Sequence, residues 1–486
     1  MNAKAQIPHL IDGLEGGSRD GREFDNVNPW TQSVTNRVAQ AGEAEVAQAV
    51  AAARSAFDDG PWPQMTPLER GKILHDLADL MEQHAEELAL ADVADMGRPV
   101  SGMRALDVPR AVANFRFYAD HARMSTAEMY PMDANHHAYT SFEPAGVVAA
   151  ITPWNHPLML GTWKIAAPLA WGNTVVHKPA EDTPTSAYLV GRLALEAGMP
   201  TGVLNVVQGH GDPAGAALTA SPGVDRVTFT GATVTGRAIA RAAAQNLTPV
   251  SLELGGKGAN LVFADADLDA TIEWTAKAIF NNSGQVCLSA SRIYVQRPVY
   301  DEFVHRLVTA AEKYVVGDPM APDTDLGPLA SRRHFEKVMS YFDLVPQEGG
   351  HVEIGGPGDG QVFHPTVVTG LQTTGRLCQD EIFGPVAAVM PFEDDDEGVR
   401  LANSSNYGLS SLVFTRDLSR AHQVSRRLRA GTVWVNCYQV RDLRAPLGGP
   451  GDSGIGREGG TFSKEFFTEP KAVVMAVGQH RRSLRG

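Results

Sequence analysis

Apolar and polar positions along this chain follow two different periods. In EVAQAVAAARSAFDD (45–59) and ERGKILHDLADLMEQHAEELALADV (69–93), apolar residues recur every three or four positions. That spacing predicts amphipathic helices, and Pro61-Trp62-Pro63 breaks between them. The stretch to about residue 125 is therefore expected to be mostly helical. Beyond it, short β-branched runs alternate with helical patterns. VVAAIT (147–152), NTVVHKP (173–179), VLNVVQG (203–209), RVTFTG (226–231) and SLELGG (251–256) read as strands. LMLGTWKIAAPLA, PTSAYLVGRLALEAG and TVTGRAIARAAAQ read as the helices between them. Such alternation predicts an α/β protein of parallel βαβ units with helices on both sheet faces. Sites in these sheets lie beyond the carboxyl ends of the strands.

A second alternating region begins near residue 257, with DLDATIEWTAKAIFNN, RIYVQ, VYDEFVHRLVTAAEKY, FHPTVVTG, AAVMPF, SLVFTRD and GTVWVNC. The Gly-rich, charged text QEGGHVEIGGPGDG (347–360) reads as exposed loop. FFTEPKAVVMAVG (466–478) reads as a terminal strand, whose partner edge could come from another subunit. No internal repeat is visible.

Size and charge narrow the classes. A chain of 486 residues is expected to hold two or three domains. A net charge of −14 argues against a nucleic-acid partner, although a local basic pocket for an anion is compatible with it. The three cysteines, Cys287, Cys378 and Cys437, are too few and odd in number for a disulfide framework, so a cytoplasmic protein is expected. MNAKAQIPHLIDG does not read as a signal peptide, and no apolar run reaches membrane-spanning length. No metal site is expected.

Several residues carry possible chemistry. Cys287, in SGQVCLSASR, follows a glycine-containing turn that would bring it out of a helix and into a cleft, where a nucleophilic thiol must be. Glu253 ends the strand SLELGG; it is either a desolvated general base or a satisfied strand-edge carboxylate. Asn155, in ITPWNHP, could donate to an oxyanion or serve as a turn residue before Pro157. FTGATVTG (229–236) sets Gly231 and Gly236 at a strand-to-helix turn, where backbone amides could meet a pyrophosphate. Lys178 and Glu181, in HKPAE, could bind ribose hydroxyls or be surface charges.

Together these segments resemble the aldehyde dehydrogenase superfamily. ITPWNHP, WKIAAPLAWGNTVVHKPAE, FTGATVTG, LELGGKGAN, GQVCLSASR, DEIFGPV, NYGLSS and SGIGREGG match its signatures in order over nearly the whole chain. The resemblance implies a Rossmann-like cofactor domain (1–122 and 144–255), an α/β catalytic domain (256–455) and a β oligomerisation arm (123–143 and 456–486), in a homodimer or homotetramer. It implies Cys287 as nucleophile, Glu253 as general base and Asn155 as oxyanion donor. NAD, or NADP, would be held by Lys178, Glu181, Gly231, Ala232, Glu381 and Phe383, with Trp154 and Gly209 nearby. The family usually has Ser where this chain has Ala232, so a hydroxyl contact is lost there.

A narrower resemblance points at the substrate. DVPRAVANFRFYADHA (107–122), VLNVVQG and NCYQVRDLRAPLGG (436–449) are similar to dehydrogenases of muconic-type semialdehydes from aromatic catabolism. Such substrates carry carboxylates, which arginine forks recognise. Arg110 and Arg441, with Arg444 as a second candidate, fall where enzymes for simple aldehydes are apolar; they either bind substrate or bridge domains. His156 and Leu447 also align with the pocket, Leu447 replacing a usual Phe. Pro450-Gly451-Asp452 departs from the family pattern. A broad-specificity aldehyde dehydrogenase, a CoA-acylating relative and a silent binding protein on the same fold are the alternatives; the second commonly lacks the glutamate.

Overall fold

The computed structural model describes residues 5–477. Two predominantly parallel sheets carry the chain. Among the described residues the first has eight strands, and its five central ones are all parallel. In spatial order they are Val250–Glu253, Arg226–Thr230, Val147–Ile151, Thr174–Lys178 and Leu204–Val206. The order turns back at Val147–Ile151, which has the later strand Arg226–Thr230 on one side and Thr174–Lys178 on the other. A binding crevice is expected at such a reversal. These strands are buried along their length, as a sheet covered on both faces requires.

The second sheet has seven strands. Six are parallel, from Phe363–Thr369 through Val386–Phe392, Arg292–Gln296, Ala259–Val262 and Ser410–Phe414 to Thr432–Val435. The seventh, His351–Pro357, lies antiparallel along Phe363–Thr369. It falls inside the stretch read as loop. Two register shifts and an alternating exposure explain why no strand pattern shows there.

The N-terminal reading also needs correction. Five short strands between Ala5 and Ala39 precede the first helix, Glu43–Asp58. His9–Ile11 and Leu14–Gly16 extend the first sheet, while Ala5–Ile7, Glu23–Val27 and Val34–Ala39 form a small one. Residues 69–93 span two helices, Pro67–Gln83 and Ala85–Met96, separated at His84.

The terminal strand Thr468–Ala476 finds its partner within the chain. It pairs antiparallel with His136–Pro144 along nine residues, and Met129–Tyr130 completes a three-stranded sheet. Helix Gly460–Phe467, just before it, packs on helices Pro157–Ala170 and Val108–Arg123. Residues 1–4 of the N-terminal segment and 478–486 of the terminal one lie outside the described residues.

Candidate active site

The loops at the carboxyl ends of both sheets meet around Cys287. Helix Leu268–Phe280 is followed by three left-handed residues, Asn282 (φ 53°), Ser283 (φ 53°) and Gly284 (φ 73°). Two non-glycine residues in that region each cost on the order of 1–3 kcal/mol. Their contacts hold them: Ser283 Oγ donates to the Gly327 carbonyl at 2.8 Å, and Asn282 Nδ2 donates to the Asn155 carbonyl at 2.8 Å. This turn delivers a partly exposed Cys287 beside the strand end Val250–Glu253. The approach is close enough that any Cβ at Gly256 would collide with the Cys287 carbonyl.

Asn155 is 3% exposed and its Nδ2 donates to the Gln285 carbonyl at 2.9 Å. One amide hydrogen is thus engaged and the other is free for a ligand. Glu253 is buried, and its Oε1 has no hydrogen-bond partner among the described residues. Burial raises its pKa well above the carboxylate range, and the nearby Glu458 raises it further, against Lys164, Arg441 and Arg457. Burial, followed by Glu381 and Glu253, pushes the Cys287 thiol up to about 12. The thiol is therefore protonated at neutral pH until a positive group arrives.

Sequence reasoning missed the polar network behind Glu253. Glu458 accepts from Trp163 Nε1 at 2.7 Å, from Lys164 Nζ, and from Thr228 and Ser251 hydroxyls at 3.2 and 3.3 Å. The available signal was Lys164 in the apolar run LMLGTWKIAAPLA. A lysine on a helix buried almost throughout demands an anionic partner. Tyr438 was missed as well; it is buried close to Cys287, and its hydroxyl has no partner among the described residues.

A second cluster holds the groups suited to a dinucleotide. Lys178 is buried at the end of its strand, and its Nζ donates to the Pro179 carbonyl at 2.9 Å. Burial lowers it to about 8, against Glu181 and Asp182. Burial raises Glu181, but Lys178, Arg333 and His210 outweigh it and hold the carboxyl below its usual pKa. Gly231 and the exposed Ala232 open helix Thr233–Ala244, with Ala232 at the N-cap and no side chain capping it. Its amides are free for an anion. Glu381 Oε1 accepts from the Gly256 amide at 2.8 Å, and any Cβ at Gly255 would strike the same carboxylate. Phe383 is left-handed at φ 63°. His334 Nε2 lies 2.7 Å from the Phe383 carbonyl, and the Trp154 ring stands edge-on to Phe383 at 5.4 Å. Gly209 is buried, and a Cβ there would press on Ala214, Ala41 and Gln40.

Arg441 and Arg110 come together from distant parts of the chain. Arg441 stacks over Trp163, 4.7 Å from the ring centroid, and its Nη2 is buried without a partner among the described residues. Burial lowers its pKa, against Tyr118, Glu458, Glu253 and Cys287. Burial and then Arg441 lower Arg110 to about 10. Two guanidinium groups share this space, and neither is hydrogen-bonded to a carboxylate among the described residues. Arg444 is different. It is exposed and bonds Asp442 at 2.6 Å, so it belongs to the surface. His156 is 5% exposed, and its Nδ1 lies 2.6 Å from Asp107, which also binds Arg98 at 2.6 Å. That buried network occupies one side of the ring. Leu447 bridges the backbone of Glu458. The departure at 450–452 forms a turn that docks on the first sheet's helix, with Asp452 bonded to Arg237 at 2.6 Å.

The fold and site define a two-sheet α/β enzyme with a partly exposed loop cysteine beside the carboxyl end of a first-sheet strand, and with an uncapped helix start at Ala232. The aldehyde dehydrogenase family model matches residues 17–473, and the chain belongs to that family. It is 47% identical, over 97% of its own length and 100% of the relative's, to 2-hydroxymuconic semialdehyde dehydrogenase of Pseudomonas sp. (strain CF600). It is 44% identical to 2-aminomuconic semialdehyde dehydrogenase of Danio rerio, over 93% of this chain and 95% of that one. Among solved structures, an NAD-dependent aldehyde dehydrogenase from Sinorhizobium meliloti superposes with TM-score 0.96 at 36% identity, covering 99% of this chain and 97% of that one. An NAD+ complex of aldehyde dehydrogenase from Bacillus cereus superposes with TM-score 0.95 at 40% identity, covering 97% of each chain.

Proposed function

We propose that this enzyme oxidises a carboxylate-bearing semialdehyde to the acid, with NAD+ as acceptor and Cys287 as covalent nucleophile. The observation that carries the substrate class is Arg441 near Cys287, its buried guanidinium nitrogen left without a partner among the described residues, with Arg110 as its neighbour. Unpaired buried cations are costly, and a substrate carboxylate offsets that cost. The muconic-type names of the similar relatives agree with it.

The residues present fit a dinucleotide. The uncapped helix start at Ala232 suits the pyrophosphate, Lys178 and Glu181 the adenosine ribose, and Glu381 and Phe383 the nicotinamide ribose and ring. Bound there, the nicotinamide supplies the acceptor for hydride. The chain's own groups do the rest. Cys287 loses its proton and its sulfur bonds the aldehyde carbon. The carbonyl oxygen takes the charge, and the free Asn155 N–H and the Cys287 amide stabilise it. Loss of hydride re-forms the carbonyl as a Cys287 thioester. Glu253 takes a proton from water, the water oxygen bonds the acyl carbon, and the carbon–sulfur bond breaks to release the acid. A retained Glu253 favours hydrolysis over transfer to a thiol.

We also propose the division into a cofactor domain, a catalytic domain and an arm. The arm sheet exposes Met129, Val474 and Met475, and Met132 and Val477 beside its strands are exposed too, an apolar surface suited to self-association. No described helix is long and apolar enough to cross a membrane. The test of substrate class is direct. NADH formation is followed with a carboxylate-terminated semialdehyde and with the uncharged aldehyde of equal length. A kcat/KM favouring the charged one is expected; a preference for simple aldehydes overturns the substrate class.

A further inference from the structure

The proposed adenosine-ribose site carries more positive charge than a 2′-hydroxyl needs. Glu181 Oε1 lies 3.6 Å from Arg333 Nη2 and 3.9 Å from His210 Nδ1. The same Arg333 nitrogen is 3.5 Å from Asp182 Oδ2. Arg333 sits on helix Arg332–Phe342 of the second sheet's half, so its side chain crosses to the first sheet's strand end. Both contacts are long, and the side chain is 74% exposed. An exposed pair of this geometry contributes little to stability. It leaves the guanidinium free to exchange one anionic partner for another. Lys178 lies behind Glu181, buried and fixed by its bond to the Pro179 carbonyl.

We propose that Arg333, supported by His210, is the residue that determines how well this enzyme uses NADP+. The proposal rests on the reading that Lys178 and Glu181 hold the adenosine ribose. A lone carboxylate there accepts a bond from the 2′-hydroxyl and repels a 2′-phosphate. Here that carboxylate is not alone. Lys178 and Arg333 balance Glu181 and Asp182 in formal charge, and the His210 ring nitrogen lies beside the same carboxylate. A phosphate on the outer side of Glu181 meets a planar fork of donors that suits it bidentately. The guanidinium then leaves Glu181 and Asp182 for the phosphate. NAD+ remains the better cofactor because its hydroxyl needs no such exchange, and NADP+ is used through Arg333.

The test compares kcat/KM for NADP+ and NAD+ with one aldehyde, in wild type, Arg333→Ala and Arg333→Lys. Calorimetry adds binding of adenosine 2′,5′-bisphosphate and adenosine 5′-monophosphate, which needs no turnover. Arg333→Ala is expected to lower the NADP+/NAD+ ratio roughly tenfold, as loss of a charge-assisted bond would. Arg333→Lys should recover part of it. The ratio of bisphosphate to monophosphate affinity should fall in parallel. An unchanged or increased ratio in Arg333→Ala overturns the proposal, as does a wild type that does not bind the bisphosphate. Glu181→Ala separates this from the underlying reading: monophosphate binding and NAD+ use unaffected by that change would place the ribose elsewhere and overturn both.

Discussion

Asn155 and Gln285 share a hydrogen bond, Nδ2 to carbonyl at 2.9 Å, that joins the loop after the first sheet's central strand to the loop bearing Cys287. Asn282 returns the link by donating to the Asn155 carbonyl at 2.8 Å. The Asn155 loop is therefore tied at two points to the turn that precedes Cys287.

That relationship makes Asn155→Ala a test of the oxyanion role. The exchange removes both the free donor and the tie to Gln285. A loss of about 10²–10³ in the single-turnover rate of NADH formation is expected. A loss below tenfold would mean that the Cys287 amide alone stabilises the oxyanion.

The thiol should be slow to alkylate without cofactor. Its pKa is pushed up to about 12, so the thiolate fraction is small at neutral pH and still rising at pH 9. Iodoacetamide labelling of Cys287 is expected to accelerate with pH across that range without levelling. Addition of NAD+ should raise the rate at pH 7. A plateau below pH 8 in the cofactor-free enzyme contradicts the buried, anion-flanked environment.

The proposed base role needs Glu253 deprotonated, so hydrolysis should fall as pH drops through its raised pKa. Glu458 is part of the cause of that rise. Glu458→Gln keeps the shape and removes the charge. The alkaline-rising limb of thioester hydrolysis is then expected to move to lower pH, measured with pre-formed acyl-enzyme. A limb that stays in place, or moves up, would show that the charge of Glu458 does not set it.

Arg441→Leu separates a substrate role from a structural one. A buried guanidinium without a carboxylate costs stability in the free enzyme, so Tm should hold or rise. The kcat/KM preference for a carboxylate-bearing semialdehyde should fall by roughly 10²-fold. A lower Tm with an unchanged preference would make Arg441 a structural residue.

Most parallel strands were legible as short β-branched runs, as in Val147–Ile151 and Thr174–Lys178, which are buried on both faces; Ala259–Val262, central in the second sheet, was not read, since Val262 is its one β-branched residue. Nor were the N-terminal strands. Leu14–Gly16 is exposed throughout, and Glu23–Val27 buries a single residue, so neither shows a period. The break at His84 has no Gly or Pro to mark it. At the site, Cys287, Glu253 and Asn155 stand out through the turns and strand ends around them. Glu458 does not, because its partners Trp163, Lys164, Thr228 and Ser251 come from other elements. The meeting of Arg110 with Arg441 is likewise a product of the tertiary fold.

The central claim is a covalent intermediate on Cys287 that Glu253 resolves with water. Glu253→Gln, mixed with NAD+ and a carboxylate-bearing semialdehyde and quenched in acid, tests it by intact mass and peptide mapping. The account predicts one NADH per active site in a burst, and a mass increase equal to the acyl group, located on Cys287. Sustained turnover at the wild-type rate, or a full NADH burst with Cys287 unmodified, would contradict it.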